Sequence, residues 1–389
     1  MQMIKTLKVM LLPNNKQQTK MFQSSGVARF AFNWALETEK KNYEAGGKFL
    51  GDGELRRRFT QLKKQPEYAW LNEHSNNVAK QAIKDACTAY LNFFKKRAKY
   101  PKFKSKRKSR PSFYVDTDKV EFSDTHVKLE KIADSTRKNR KQVNWIKLAE
   151  KSRIPVGCKY INPRVTFDGI NWWISVGIEC DDVVNIPTNR PVGIDIGIKD
   201  LAVCSDENTY ENINKTNTVR KLKKKQRRLQ RKVSNKYESS KEGNRYKKTC
   251  NIIKCEKQLL KINHRLANIR QNHLHQASTE IVNREPKFIV MEDLNVKGMM
   301  KNRHLAKAVQ EQGLAEFYRQ MAYKTAWHNI QFITADKWFP SSKTCSVCGQ
   351  IKKDLKLSDR VYTCDCGFSA DRDYNASVNL REYGYKVAA

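Results

Sequence analysis

The sequence predicts a multidomain chain, α+β in its first part and α/β in its second. Three observations carry that expectation. Residues 113–182 alternate apolar and polar positions in short runs, as antiparallel strands do, and they follow a long stretch with helical periodicity. From Gly193 onward, apolar strand-like runs alternate with helical segments, the pattern of an α/β domain. Near the C-terminus, Cys345, Cys348, Cys364 and Cys366 fall at metal-ligand spacing. With 389 residues the chain has length for two or three domains and a sizeable core.

Taken in order, residues 3–12 (MIKTLKVMLL) read as a short strand. From about Gln17 to Lys96 the pattern is helical, with Val78, Ile83, Ala86, Tyr90 and Phe93/Phe94 on one side of the last segment. Gly46, Gly47, Gly51 and Gly53 mark a loop between helices. The strands of 113–182 suggest a small barrel or sheet that the N-terminal strand would close. Asp168-Gly169, between two alternating runs, predicts a type I′ hairpin. VVNIPTNRPVG, with Pro187 and Pro191, then marks a domain boundary. After it come two strands and a less certain third (GIDIGIKDLAVCSDENTYEN), and helical residues from about 217 to 284 carrying Leu259, Leu260, Ile262, Leu266, Ile269 and Leu274 as a buried stripe. The buried strand KFIVMEDL, an amphipathic helix around AEFYRQMAYKTAWH and the strand IQFITAD complete the alternation.

Charge narrows the function class. Lys+Arg number 76 against 40 Asp+Glu, a formal net charge of +36, and such a field favours a polyanion, most simply nucleic acid. No stretch reaches 18 apolar residues, and the first residues lack a full signal-peptide core, so we expect a cytoplasmic protein with no membrane partner. Ten of the sixteen residues 95–110 are Lys or Arg, interleaved with Tyr100 and Phe103. The plain reading is a solvated loop. The functional one is a phosphate-tracking segment (Lys95, Lys96, Arg97, Lys102, Lys104, Lys106, Arg107) with aromatics for stacking on bases. The segment from Asn217 is nearly all cationic as well, and Lys223, Lys224, Arg227, Arg228 and Arg231 fit a nucleic-acid-facing helical hairpin better than a merely solvated helix.

The remaining signals are chemical. Cys87, Cys158, Cys180, Cys204, Cys250 and Cys255 are scattered, as buried thiols are. The other four form C-x2-C, fifteen residues, C-x-C, a set of thiolates for one structural zinc, with Gly349 and Gly367 easing the tight turns. Asp195 sits between Ile194 and Ile196 in a strand that reads as internal, and Glu292 ends the apolar run FIVME. Burying a lone carboxylate costs several kcal/mol unless a cation or donor compensates. An acid at an exposed strand end is the plain alternative for Asp195. Asp293 should point to the opposite face from Glu292. Asp371 and Asp373 open a helix, with Ser369 and Asp371 as candidate caps, and Asp373 is the better chemical candidate. Three carboxylates meeting in one α/β domain would suit Mg²⁺ or Mn²⁺, and two such ions serve phosphodiester cleavage. No P-loop and no HExxH spacing competes.

GIDIGIKDLAV, IVMEDLNVKGM, WFPSSKTCSVCG, CDCG and DRDYNAS together resemble the TnpB (OrfB) family of insertion-sequence proteins, relatives of miniature type V CRISPR effectors. The likeness covers nearly the full length, and NAS stands where NAA is commoner. It implies an RNA-guided DNA endonuclease, one protein per structured guide RNA, cutting double-stranded DNA beside a short protein-read motif. Its fold would be an N-terminal wedge-like β-barrel (1–15 plus 112–187) with a helical insertion (16–111). A RuvC-like (RNase H-type) nuclease domain (188–389) would follow, carrying the long hairpin 217–284 and interrupted by a zinc ribbon at 341–370. It makes Asp195, Glu292 and Asp373 the catalytic triad, and Asn77 and Gln81 readers of the flanking motif. Two other expectations stay open: a guided binder that no longer cuts, and a zinc-ribbon RNA-binding protein.

Overall fold

A computed structural model describes residues 3–132, 144–180, 186–356 and 359–388. The predicted linker and ribbon therefore each lie partly outside the described residues, at 183–185 and 357–358. Two compact units meet in sequence near residue 181.

The first unit opens with β1 (Met3–Leu12), then α1 (Asn15–Glu44), α2 (Asp52–Leu62), a 3-10 turn at Pro66–Glu73 and α3 (Asn76–Phe94). β2 (Ser112–Tyr114), β3 (Glu121–Phe122), β4 (His126–Lys128), β5 (Trp145–Leu148), β6 (Tyr160–Phe167) and β7 (Trp172–Cys180) follow. They join β1 in one seven-stranded antiparallel sheet, ordered β2-β6-β7-β1-β5-β4-β3. α1 begins where Asn14 and Gln17 cap each other, and α3 where the Ser75 hydroxyl accepts from the Asn77 amide. Of the apolar stripe predicted on α3, Val78, Ile83, Ala86 and Tyr90 are buried with Met21, Ala31 and Leu36 of α1 and with Val9, Val165 and Ile174 of the sheet, whereas Phe93 is half-buried and Phe94 exposed.

Three local expectations need correction. The β6–β7 turn centres on Gly169-Ile170, with Asp168 and Asn171 paired; only its first central residue has positive φ (+100°), which is the II′ rather than the I′ pattern. Asp168 decides this, because its carboxylate accepts from the Ile170 and Asn171 amides and from Trp173 Nε1. Gly53 lies inside α2, not in the preceding loop. Of the six scattered cysteines, Cys87, Cys204 and Cys255 are buried, Cys158 and Cys180 half-buried, and Cys250 exposed at the start of a helix.

The second unit is the α/β part. β8 (Val192–Ile196), β9 (Asp200–Cys204) and β10 (Thr209–Glu211) run into α4 (Asn217–Glu238), a small hairpin of β11 (Lys241–Glu242) and β12 (Arg245–Tyr246), and α5 (Cys250–Asn283). β13 (Phe288–Glu292), α6 (Val296–Met299), α7 (Ala306–Gln312), α8 (Leu314–Trp327) and β14 (Gln331–Ala335) follow. β15 (Val361–Thr363), β16 (Ser369–Asp371) and α9 (Arg372–Ala388) end the described chain. The central sheet is ordered β10-β9-β8-β13-β14, with β13 parallel to both neighbours. Of the stripe expected on α5, Ile262 and Leu274 are buried, and Leu259, Leu260, Leu266 and Ile269 half-buried. Helices cover both faces, which is why β8 and β13 read as apolar runs. α5 and α8 pack on the face carrying Ile194, Ile289 and Met291, and α9 packs on the face carrying Gly193, Phe288 and Val290. Among the described residues no helix is long and apolar enough to cross a membrane.

Candidate active site

Strand periodicity decides which side chains share a face. In β8, Ile194 and Ile196 are buried in the α5/α8 core, so Asp195 shares the other face with Gly193. In β13, Phe288, Val290 and Glu292 share a face by the same rule. The parallel register pairs Met291 with Ile194, so Glu292 and Asp195 come one step later on neighbouring strands. Both acids therefore point toward α9, at the carboxyl ends of the two parallel strands.

α9 brings the third. A Cβ built on Gly193 would lie 2.0 Å from the Ser377 carbonyl and 2.4 Å from the Arg381 amide, and one on Gly384 would lie 2.3 Å from a Phe288 ring carbon. Only glycine at both positions allows the helix to lie this close on β8 and β13. Asp371, not Ser369, caps this helix: its carboxylate accepts from the amides of Asp373 (2.9 Å) and Tyr374 (3.3 Å), while Ser369 pairs with Thr363 in β16. The Asp373 carboxylate takes no part in that cap and lies 3.3 Å from the Arg372 guanidinium.

The charges of the three acids act on one another. Burial pushes the Asp195 carboxyl well above the usual carboxylate range, and the charges of Glu292 and Asp373 push it further, against a smaller pull from Arg372. Glu292 is also raised, first by burial and also by Asp373; the Ser341 hydroxyl, which donates to Glu292 Oε1, and Arg372 oppose it. Asp293 lies beyond the strand, exposed, on the α8 side, as alternation requires.

The cysteine knuckle is joined to this site. All four sulfurs lie within 4.8 Å of one another, with Cys345–Cys366 at 3.7 Å and Cys348–Cys364 at 3.5 Å. Four thiolates held about 2.3 Å from one tetrahedral ion stand roughly 3.8 Å apart, so the set could hold one metal ion and fits zinc. Gly349 and Gly367, at φ +78° and +89°, turn the chain so that their amides donate to the Cys345 and Cys364 carbonyls. Burial works to raise the Cys345 thiol, but the backbone amides of Cys348 and Val347 and the neighbouring thiols of Cys348 and Cys364 together bring it to about 7. Two buried asparagines fasten the knuckle to α9. Asn375 donates to the Thr344 carbonyl (2.7 Å) and accepts from the Ser346 amide (3.0 Å); Asn379 donates to the Ser341 (2.7 Å) and Thr344 (2.6 Å) carbonyls. Sequence reasoning missed Ser341, Arg372, Asn375 and Asn379. The spacing of Asn375 and Asn379, one helical turn apart beside the acids, was the available signal.

Among the described residues the cysteines are the one set of three or more such ligands closing within 4.8 Å. The carboxylates do not close within 4.8 Å as the cysteines do, and three acids with one arginine among them leave negative charge that hard cations bind.

The predicted nucleic-acid residues divide. Lys95, Lys96, Arg97, Tyr100, Lys102, Phe103, Lys106 and Arg107 are exposed, as are Lys224, Arg227, Arg228 and Arg231 on α4. Lys104 turns inward, its ammonium 3.7 Å above the Phe32 ring and its backbone clamped by Asn33. Lys223 is paired with Glu311 at 2.8 Å. Asn77 and Gln81 are half-buried on α3, and Gln81 donates to Asp85, which holds Arg164 through two hydrogen bonds.

Comparison with known proteins fits this geometry. A family model described as "Probable transposase" (OrfB, IS605 type) matches residues 175–303, and a Cas12f1-like TNB domain matches 315–380. A protein of Streptomyces pristinaespiralis named "Putative RNA-guided DNA endonuclease" is 31% identical over all of this chain and 92% of its own length. The chain belongs to the TnpB (OrfB) family. An Escherichia coli K12 relative of the same name, InsQ, is 28% identical over all of the chain and 94% of its own length. The effector in a Cas12f1-sgRNA-target DNA complex superposes with a TM-score of 0.61 at 13% identity, covering 98% of this chain and 99% of that one; the fold is shared. A helix-turn-helix model also matches residues 1–48, yet this TnpB-family chain places there a strand and one continuous thirty-residue helix, α1.

Proposed function

We propose that this protein is an RNA-guided DNA endonuclease of transposon origin, cutting double-stranded DNA with Asp195, Glu292 and Asp373. The observation that carries the reading is the meeting of these acids, from β8, β13 and α9, at the carboxyl ends of parallel strands. A purely structural cluster would leave half-buried like charges together with only Arg372 to offset them.

The three carboxylates would hold Mg²⁺ or Mn²⁺, and two such ions would activate a water and stabilise the leaving oxygen of the phosphodiester. The chain's own residues prepare the site. Ser341 fixes one oxygen of Glu292, Arg372 holds Asp373 beside the strand ends, and Asp371 takes up the helix amides that would otherwise compete for Asp373. The four cysteines would carry one structural zinc with no open position. Its work is indirect: Asn375 and Asn379 transmit the knuckle's position to Ser341 and α9.

In this reading residues 188–389 are a RuvC-like domain, with the ribbon inserted at 341–370 before the last acid. Residues 1–15 and 112–187 form the wedge-like barrel, and 16–111 the helical recognition part. The exposed cations of 95–107 and of α4 would hold guide RNA and heteroduplex backbone. Asn77 and Gln81 would face the flanking motif. Purifying the protein with its RNA, sequencing that RNA and offering a matching duplex with Mg²⁺ tests this directly. Metal-dependent cutting that disappears in D195A while RNA stays bound is expected; equal loss of RNA affinity would defeat the catalytic assignment.

A further inference from the structure

The acids face α9, but a second feature opens at the same strand ends on the opposite face. A cleft of about 490 Å³ lies between the β13–α6 turn and α8, lined by Ile196, Asp293, Lys297, Leu314, Tyr318 and Lys337 among others. That volume is within the roughly 300–1,000 Å³ of small-molecule sites. Its chemistry is divided. Ile196 and Leu314 give an apolar floor, and Tyr318 stands beside it with its ring edge-on to Phe332 (5.3 Å) and its hydroxyl bonded to Thr334 (2.6 Å). Lys297 and Lys337 are exposed cations, and Asp293 is the one carboxylate in the lining.

Trp338 follows Lys337 of the lining and is 81% exposed. Its backbone amide is held by the Asp336 carboxylate at 2.8 Å, and the Lys337 ammonium sits 5.1 Å from its ring centre. An uncovered indole on an anchored backbone, beside a cation, offers a flat stacking surface next to a phosphate-binding charge. Ile196 follows Asp195, and Asp293 follows Glu292, so the cleft lies at the same strand ends as the acids, on the other face of the sheet.

We propose that this cleft holds unpaired nucleobases of the DNA strand being cut, one base against Tyr318 and the next on Trp338, while Lys297 and Lys337 take their phosphates. A bare phosphate has no use for the apolar floor, and an apolar partner has none for two lysines. A single-stranded nucleotide uses both, and Asp293 can accept from a base amino group. Only the identity of the strand rests on the nuclease reading above.

The test uses the full-length protein and a fluorescent oligothymidylate carrying one 2-aminopurine, with Ca²⁺ in place of Mg²⁺. Binding should quench the 2-aminopurine, as stacking does. Trp338→Ala and Tyr318→Leu should each weaken binding roughly 5- to 150-fold, the range for one base–aromatic stack, and reduce the quench. Trp338→Phe should keep both. Because Trp338 is so exposed, its truncation removes no core contact and carries the test even if Tyr318→Leu unfolds. Wild-type affinity and quenching in Trp338→Ala overturns the proposal. If the wild type quenches the probe but cuts no guided duplex, the nuclease reading falls and the base site stands.

Discussion

Asp195 shows how far a single residue can be read. An aspartate between two isoleucines in an apolar run is improbable as packing, and the sequence alone marks it as a site. What it lacks is the compensating partner: the acid is raised by burial, Glu292 and Asp373 together, with Arg372 as a partial counterweight. Removing its charge without changing its shape therefore has opposite effects on stability and function. D195N should raise the melting temperature of the metal-free protein and remove the stabilisation that millimolar Mg²⁺ gives the wild type, read by thermal melts with and without the ion. Lower metal-free stability in D195N would mean that the acids are not in repulsion. Ser341 was illegible, and Asn375 and Asn379 legible only as a pair one helical turn apart, for the converse reason. Their roles are hydrogen bonds to groups tens of residues away, and nothing in local pattern names those partners. Lys104 and Lys223 make the same point: both look like free cations in a basic run, yet one packs on Phe32 and the other pairs with Glu311.

At the scale of elements the reading is more secure, because period and punctuation are local. β1, β8, β13 and β14, and the helical segments that became α5 and α8, were legible in apolar spacing, whereas the β6–β7 turn was misplaced because an Asp168 side chain, not the dipeptide, sets it. The contact of α9 with β8 was not legible, since Gly193 in a strand has several uses. Gly193→Ala should force α9 outward from the Ser377 and Arg381 backbone, at a cost of about 1–3 kcal/mol for overpacking. It should also reduce cleavage more than RNA binding, because Asp373 moves with the helix. The knuckle gives a second test. Cys348→Ser should lose the zinc, measured by metal analysis, and increase proteolysis around residues 341–370, with cleavage falling as Ser341 and Asn375 lose their anchor. The α5–α8 contact gives a pH test. Lys324 is buried between them, bonded to the His275 carbonyl and the Ser278 and Thr279 hydroxyls, and burial brings its ammonium down to about 8. Since the unfolded lysine titrates near 10.4, the native state binds fewer protons between these values, and stability rises with pH across that window. Below about 8 both states carry the proton and the whole penalty is present. The difference between wild type and Lys324→Met in denaturation midpoint should therefore shift steadily in favour of the wild type from pH 8 to 10, and a constant difference would remove Lys324 as the cause.

For the whole molecule, the dominant quantity is a net charge of +36. Charge of that size predicts binding to nucleic acid that weakens steeply with salt, because each phosphate contact releases counterions. The count alone does not say which cations act. Arg227, Arg228 and Arg231 are exposed along α4, whereas Lys223 on the same helix already faces a carboxylate. Replacing the three arginines by alanine should flatten the plot of log affinity for the copurified RNA against log salt by about 2–3, at roughly 0.7–0.9 per contact. Lys223→Ala should leave the slope nearly unchanged, even though it removes the same formal charge as any one of them. Anisotropy titrations between 50 and 300 mM salt would read both. A slope that followed total charge, with Lys223→Ala equal to a single arginine variant, would show the long-range field acting in place of defined contacts, and α4 would lose its assignment as an RNA-facing element.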